Sequence, residues 1–290
     1  MSWSTPEPLR RYLSDLVAVA DEVLGTELCG AYAAGSVGLA AYQPGRSDVD
    51  VALVCAGPLD HGVAEELVPR LRHEALPCPA RGLELVVYRQ AVARSGSPEP
   101  GFEVELNTGA RMDFRVSYGP AQRPSADGLF WYGLDRSILH QSGRVLLGPP
   151  AADAIADLAP DDLRRLVLDA LRWWLARPVP AGEVPAPGAE DAVLGACRSW
   201  VRLRTGVWLP KVAAGRRLLD EAGPLVDADT ADLVQRSVAA RDGGVPPTPR
   251  LPATRARRPC RRTGLISPSV PPGSTGRRRR RTQPNSRRVR

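Results

Sequence analysis

The apolar positions in residues 1–150 follow two different periods. A repeat of three or four residues from 9 to 24 predicts an amphipathic helix, which Gly25 ends. Short β-type runs are found at 28–34, 48–54, 83–88 and 112–117, the last one typical of an edge strand. Helical spacing returns at 62–76 and 127–143. Residues 1–150 are therefore predicted to form one α/β (α+β) domain around a small mixed sheet.

The spacing of apolar residues is helical throughout from residue 159 onward. Asp161 and Asp162 favour the start of a helix that continues to Leu175, because acidic side chains stabilise a helix amino terminus. After a loop rich in Pro and Gly at 178–188, further helices are predicted at 190–205, 210–222 and 228–241. We therefore expect residues 151–243 to form an all-α helical bundle.

The last segment, residues 244–290, has no helical or strand period. Its composition of Arg, Pro, Ser, Thr and Gly offers too few apolar side chains to offset the entropy cost of ordering, which predicts a disordered basic tail. Fourteen Arg and no acidic residue lie between 245 and 290. Nucleic acid is expected as a partner only through this tail. The alternatives are a non-specific extension and out-of-frame translation of a GC-rich gene end.

The net charge of the chain combines two segments of opposite sign. Removing the fourteen Arg of the tail from the formal charge of +7 leaves −7 for residues 1–244. An acidic body attracts cationic small molecules, although an ordinary acidic surface has the same charge. There is no apolar run of transmembrane length and no visible signal peptide, and the five Cys have no Cys-x-x-Cys spacing. We expect a cytoplasmic monomer without membrane contact.

Two carboxylates open the second β-type run, in the sequence Asp48-Val49-Asp50. Because strand side chains alternate, Asp48 and Asp50 are predicted to project to the same side. Such a pair repels itself unless a cation lies between, and hard oxygen ligands favour Mg²⁺. Glu84 stands inside another apolar strand pattern, where an acid is costly unless it is paired. If the two strands are neighbours, Glu84 binds the metal or takes a proton from an attacking hydroxyl.

Two further features are typical of a phosphate site. Gly35-Ser36 lies in a turn of small residues, where backbone N–H groups and a hydroxyl can approach a phosphate. Of the 39 basic residues only Lys211 is a Lys, and a compact point charge suits a narrow polyphosphate site. Pro210 would place Lys211 at a helix amino terminus. The alternative is a surface Lys retained by chance.

These segments carry a family resemblance. Gly35-Ser36, Ser47-Asp48-Val49-Asp50, the Glu84 strand, Val193–Arg198 and Thr205–Lys211 occur in the order found in the streptomycin–spectinomycin adenylyltransferases. That group is a two-domain branch of the aminoglycoside nucleotidyltransferases, within the DNA polymerase β superfamily. The resemblance spans residues 9–240. It implies an N-terminal nucleotidyltransferase domain followed by the helical domain.

The resemblance also implies roles for the matching residues. Asp48 and Asp50 would bind Mg²⁺, with Glu84 as the third carboxylate of the metal site and as general base. The ATP phosphates would be held by Gly35, Ser36, Ser47, Arg198 and Lys211. The implied reaction is ATP- and Mg²⁺-dependent adenylyl transfer to a hydroxyl of a cationic aminoglycoside, which confers antibiotic resistance.

Two departures leave the acceptor open. Family members that modify streptomycin carry a Trp after the third carboxylate strand, and residues 102–109 contain none. They also carry an Asp about ten residues before the Arg, where this chain has Gly188, with Glu190 and Asp191 nearby. The alternatives are a nucleotidyltransferase that acts on a different hydroxyl acceptor and a catalytically silent nucleotide-binding protein whose tail binds nucleic acid.

Overall fold

A six-stranded sheet organises the first half of the chain in the computed structural model, which describes residues 5–176, 188–222 and 226–242. Its spatial order is β5-β4-β3-β2-β1-β6. Only β2 and β3 are parallel, and the other neighbours are antiparallel. The sheet is therefore mixed, as predicted. The strands are β1 (Leu28–Ala33), β2 (Val49–Cys55), β3 (Leu83–Arg89), β4 (Phe102–Gly109), β5 (Met112–Ser117) and β6 (Arg144–Leu147).

Ten helices are assigned within the described ranges, three of them single turns of four residues. The predicted helices are all present, with ends shifted by a few residues. The helices are α1 (Glu7–Leu24), α2 (Gly35–Gly38), α3 (His61–Leu71), α4 (Gln90–Ala93), α5 (Phe130–Ser142), α6 (Ala151–Ala154), α7 (Pro160–Ala176), α8 (Ala189–Thr205), α9 (Lys211–Ala222) and α10 (Ala228–Asp242).

Apolar side chains cover both faces of the sheet. On one face, α1 and α3 bury Leu16 and Leu67 against strand residues such as Leu53 and Leu85. On the other face, α5 and α6 pack against Tyr88 and its neighbours. Burial on both faces explains why β2 and β3 read as continuous apolar runs rather than as alternating ones. Edge strand β5 is largely exposed, which agrees with its predicted edge position.

The helices after residue 159 form two groups. Helix α7 packs on α5, and an apolar cluster that includes Trp208 lies between them. Helices α8, α9 and α10 enclose a separate cluster around Leu194, Val201 and Ala214. All described residues nevertheless belong to one compact unit. The division at residue 150 into two domains stays a proposal.

A buried polar joint connects α5 to the segment that leads into α9. Trp208 donates its indole N–H to Ser137 Oγ at 2.9 Å, and its backbone exchanges two hydrogen bonds with the side chain of Gln141. Arg202 of α8 donates to Asp157 Oδ2 at 2.5 Å. Because these hydrogen bonds link α5 to the residues just before α9, the start of α9 is held in place relative to α5.

Several sequence predictions concern properties outside this description. The predicted disordered tail, 244–290, lies outside the described residues, as does most of the loop at 178–188. In the described part of the chain no helix is long and apolar enough to cross a membrane. Four of the five Cys are described, and all four are free thiols. The cytoplasmic location and the monomeric state stay predictions.

Candidate functional site

Asp50 and Glu84 stand side by side on the sheet. They are register partners in the parallel pair β2–β3, and Glu84 is in turn the partner of Asn107 on β4. Partners on neighbouring strands project to the same face. Since β3 does lie beside β2, the condition that the sequence analysis set for an acidic cluster is met. The three side chains form a row on the face against which α5 packs.

Asp48 joins this row from the turn that precedes β2. The strand begins at Val49, one residue later than the sequence pattern predicts. Asp48 Oδ2 accepts a hydrogen bond from Arg81 Nη2 at 2.6 Å. Arg81 therefore compensates one carboxylate of the cluster when no ligand is present, a contact that sequence reasoning missed.

The remaining carboxylates are short of positive charge. Burial, and then the charges of Asp48 and Glu84, raise the pKa of Asp50 well above its ordinary value. Burial, followed by the charges of Asp48 and Asp135, raises the pKa of Glu84 to about 7. Asp135 of α5 is an exposed residue, but protein atoms surround its carboxylate and exclude much of the nearby water, so the group is partly buried. That burial raises its pKa to about 6, although Arg198 opposes the shift. The cluster therefore favours a cation.

The backbone at Gly35 lies directly against Asp50. A Cβ at position 35 would stand 1.8 Å from Asp50 Oδ2, and the φ of +51° is itself favoured only by Gly. The N–H of Ala34 donates to the backbone oxygen of Asp50 at 2.9 Å. Next to this contact, the Ser36 hydroxyl is enclosed without a hydrogen-bond partner. Gly35 and Ser36 thus border the carboxylate cluster, and the Ser36 hydroxyl is available to a ligand.

Ser47 shapes the turn before Asp48. Its side chain is buried, and its Oγ accepts a hydrogen bond from the Gln43 N–H at 3.0 Å. Its backbone N–H donates to the Gln43 carbonyl, and its carbonyl accepts from the Arg81 N–H. The structure therefore gives Ser47 a role in holding the Gln43–Ser47 loop. Its predicted contact with a phosphate stays a prediction.

The donor chemistry of the cluster fits a hard divalent cation. Asp48, Asp50 and Glu84 offer carboxylate oxygens, and burial, followed by the neighbouring carboxylates, raises the pKa of Asp50 and Glu84. In residues 5–176, 188–222 and 226–242, however, no three His, Cys, Asp or Glu side chains form a ready-made metal cage. Asp48 is turned toward Arg81 instead. The Mg²⁺ site stays a prediction.

Arg198 of α8 brings a guanidinium to the carboxylates from the helical half. Its Nε and Nη2 are enclosed without hydrogen-bond partners. Burial lowers its pKa, and the charges of Asp135 and Asp50 oppose that effect. The guanidinium carbon lies 5.7 Å from the centre of the Trp208 ring, which packs at its side. Unpartnered donors near a carboxylate cluster are suited to an anion that is itself bound to a cation.

Lys211 is the first residue of α9 and is three-quarters enclosed. Its Nζ lies 2.9 Å from Asp191 Oδ1, with 29% of each side chain exposed. Burial lowers the pKa of Lys211, an effect that Asp191 opposes. Its charge in turn reaches Asp50, where it acts against the rise in pKa. These contacts disfavour the reading of Lys211 as an unconstrained surface residue.

The chain has the fold of a solved adenyltransferase. The crystal structure of spectinomycin adenyltransferase from Enterococcus faecialis, with ATP and spectinomycin, matches with a TM-score of 0.57. The match covers 80% of this chain and 89% of that chain at 15% sequence identity. No family model and no curated protein matches the sequence. The resemblance stated from the motifs is thus confirmed at the level of the fold.

Within this adenyltransferase fold, four charged residues near the site escaped the sequence analysis as participants: Arg81, Asp135, Asp191 and Arg241. Asp135 had a readable signal, because it interrupts a helix stretch in which residues 132–134 and 136–139 are all buried. The others are surface-type residues in sequence. Only the tertiary contacts place Arg81 on Asp48, and Asp191 between Lys211 and Arg241.

Proposed function

We propose that this protein transfers an adenylyl group from ATP, with Mg²⁺, to a hydroxyl of a cationic aminoglycoside-type antibiotic. The observation that carries the proposal is the juxtaposition of two opposite charge surpluses. Among the described residues, Asp50 and Glu84 form no direct ion pair, while Arg198 has guanidinium N–H groups without partners, and the two sides interact electrostatically. A nucleotide phosphate that binds with a metal ion would neutralise both.

The two halves of the chain divide this work in the proposal. Residues 1–150 are the nucleotidyltransferase domain, which carries the carboxylates and the Gly35–Ser36 turn. Residues 151–243 are the helical domain, which carries Arg198 and Lys211. The polar joint at Trp208 supports this arrangement, because it fixes the segment before Lys211 on α5.

The chemistry of the transfer follows from these positions. Asp48 and Asp50 would hold Mg²⁺, which supplies charge neutralisation at the transferred phosphate. Arg198, Lys211 and the Ser36 hydroxyl bind and orient the triphosphate. The acceptor oxygen forms a bond to the α-phosphorus, the bond from that phosphorus to pyrophosphate breaks, and the acceptor proton passes to a carboxylate oxygen of Glu84. A pKa of about 7 suits a general base near neutral pH.

A cationic acceptor is supported by Asp135. Asp135 is an exposed residue, and its carboxylate interacts electrostatically with Asp48 and Glu84. The negative charge of residues 1–244 would raise the local concentration of a polycation. The family implication and the local charge thus agree on an aminoglycoside.

A second candidate is the same transfer to a less basic hydroxyl compound. Arg115 of β5 is the register partner of Asn107, two strands from Glu84, and its charge acts on Glu84. Arg115 also forms an ion pair with Glu105, with 3.0 Å between Nη2 and Oε1, so only part of its charge would oppose a polycationic acceptor. A neutral or acidic alcohol would not meet that opposition.

The test is a mass measurement on the acceptor. Purified protein is incubated with ATP, Mg²⁺ and a panel containing streptomycin, spectinomycin, other aminoglycosides and neutral or acidic alcohols. An adenylyl mass increment on one aminoglycoside, lost in Asp50→Asn, is the expected result. An increment on an uncharged alcohol alone would favour the second candidate. No increment on any compound, with ATP still bound, would contradict both.

A further inference from the structure

One carboxylate oxygen in the helical half is shared by two cations. Asp191 Oδ1 lies 2.9 Å from Lys211 Nζ and 2.7 Å from Arg241 Nη2. The three residues come from three helices, α8, α9 and α10. Only 15% of the Arg241 side chain is exposed. The oxygen of Asp191 therefore occupies a position at which two positive groups converge.

This cluster holds more positive than negative charge. Lys211, Arg241 and Arg198 influence one another, since Arg241 and Arg198 both act to lower the pKa of Lys211. Nearby, Glu190 is paired with Arg46 and so does not compensate them. The Nε of Arg241 and two nitrogens of Arg198 are enclosed without hydrogen-bond partners. Unpartnered buried donors and a surplus of cations suit an anion that carries more than one charge.

The cluster opens onto a cavity beside the start of the Gln43–Ser47 loop. Lys211 and Arg241 both line a cavity of about 220 Å³, together with Tyr42, Gln43 and Pro210. Gln43 Nε2 donates to the Arg241 carbonyl at 2.8 Å, and Arg46 Nη1 donates to the Ala240 carbonyl at 2.8 Å. The loop that ends at Ser47 and Asp48 is thus tied to the end of α10. An anion in the cavity is close to the turn that carries Asp48.

We propose that Arg241 is a further nucleotide-binding residue, which receives the terminal phosphates of ATP together with Lys211. In the ligand-free protein, Asp191 holds both cations, and phosphate oxygens take the place of its carboxylate when ATP binds. This inference rests on the proposed use of ATP, but it does not depend on the acceptor. A structural alternative exists, in which Asp191 and Arg241 only join α8 to α10.

Equilibrium binding of ATP, inorganic tripolyphosphate and adenosine separates these two roles. Arg241→Gln is expected to weaken ATP and tripolyphosphate binding by about tenfold or more, because it removes a charge-assisted hydrogen bond. Adenosine, which has no phosphate, should bind to the variant as it does to the wild type. Arg241→Lys, which retains the charge, should recover most of the loss. Arg236→Gln, on the same helix and paired with Asp232, is the matched control.

Asp191→Asn gives a second test, because a purely structural role of Asp191 predicts the opposite change in tripolyphosphate binding. If phosphate replaces the carboxylate, the variant should bind tripolyphosphate about threefold more tightly or better, since no ion pair has to be broken. Unchanged or weaker binding would overturn the displacement of Asp191. Wild-type tripolyphosphate affinity in Arg241→Gln would overturn the role of Arg241. Failure of the wild-type protein to bind ATP would instead contradict the proposed function itself.

Discussion

The carboxylate row and the cation cluster are built in opposite ways. Asp50 and Glu84 are neighbours because two parallel strands pair in a fixed register. Lys211, Arg198 and Arg241 meet because three separate helices converge. Burial is the main cause of the raised pKa of Asp50 and of the lowered pKa of Arg198, and a smaller part comes from like charges, which are Asp48 and Glu84 for Asp50 and Arg241 for Arg198. We infer that a ligand carrying both a metal cation and phosphates stabilises the carboxylate row and the cation cluster, each of which is unfavourable alone.

The largest effect is expected when the proposed base is removed from the carboxylate row. Glu84→Gln keeps the shape of the side chain but cannot accept the acceptor proton, so kcat should fall by about 10²- to 10⁴-fold. The affinity for ATP should stay near the wild-type value, because the cation cluster is unchanged. Single-turnover rates and ATP titrations measure the two effects. Retained transfer would remove Glu84 from the role of base.

The corresponding change in the cation cluster is Lys211→Ala. The dissociation constant for ATP should rise by about 10- to 100-fold, the size expected for a lost hydrogen bond to a charged group. Arg217→Ala, on the same helix and paired with Glu221, is the control and should have little effect. Calorimetric titration provides the measurement. An unchanged affinity would limit Lys211 to its ion pair with Asp191.

A backbone change tests how tightly the Gly35 turn is fitted to Asp50. Gly35→Ala introduces a Cβ 1.8 Å from Asp50 Oδ2 at a positive φ. We expect it to lower the free energy of unfolding by about 1–3 kcal/mol and to weaken Mg²⁺ binding. Gly195→Ala in α8, where nothing lies within 4 Å, should be neutral or slightly stabilising. Equal denaturation midpoints for both variants would show that the turn adapts freely.

The smallest expected effect is the pH dependence of the transfer rate. The pKa of Glu84 is raised to about 7, so its carboxyl is protonated below that pH and able to act as a base above it. Transfer should therefore fall by about tenfold for each pH unit below the pKa. Carboxyl-carbon NMR of the ligand-free protein, assigned with Glu84→Gln, measures the pKa directly. Added Mg²⁺ should lower it, and a pKa near 4.5 without metal would mean that the cluster carries no surplus charge.

The sequence was informative where chemistry and periodicity coincided. Asp50 and Glu84 were found because acids inside apolar strand runs are conspicuous, and the major helices followed from their apolar spacing. Strand β4 was left unassigned, although Phe102, Val104 and Leu106 alternate with polar residues as in a strand with one buried apolar face, and its pairing with β3 and β5 defines it. Strand β6 is only four residues long and pairs with β1 from far along the chain.

The helical part of the site was less accessible to prediction. Lys211 was singled out only because this chain contains no other Lys, and the family pattern added Arg198. Asp191 was noted only as lying near the position of a family Asp, and nothing in the sequence distinguishes Arg241 from the many charged residues of surface helices. Their importance depends on how α8, α9 and α10 converge, which local periodicity does not determine. The roles of the site residues remain predictions for the experiments above.

The register between β2 and β3 makes correct folding and assembly of the site the same event. Leu83 and Leu85 flank Glu84 and point to the opposite face, where both are fully buried with α1 and α3. A slip by one residue would turn Glu84 into that apolar layer and bring the two leucines to the face that carries Asp50 and Asn107. Chains that pair these strands in the wrong register would therefore be unstable. Folded, soluble molecules that are inactive because of a wrong register should be rare.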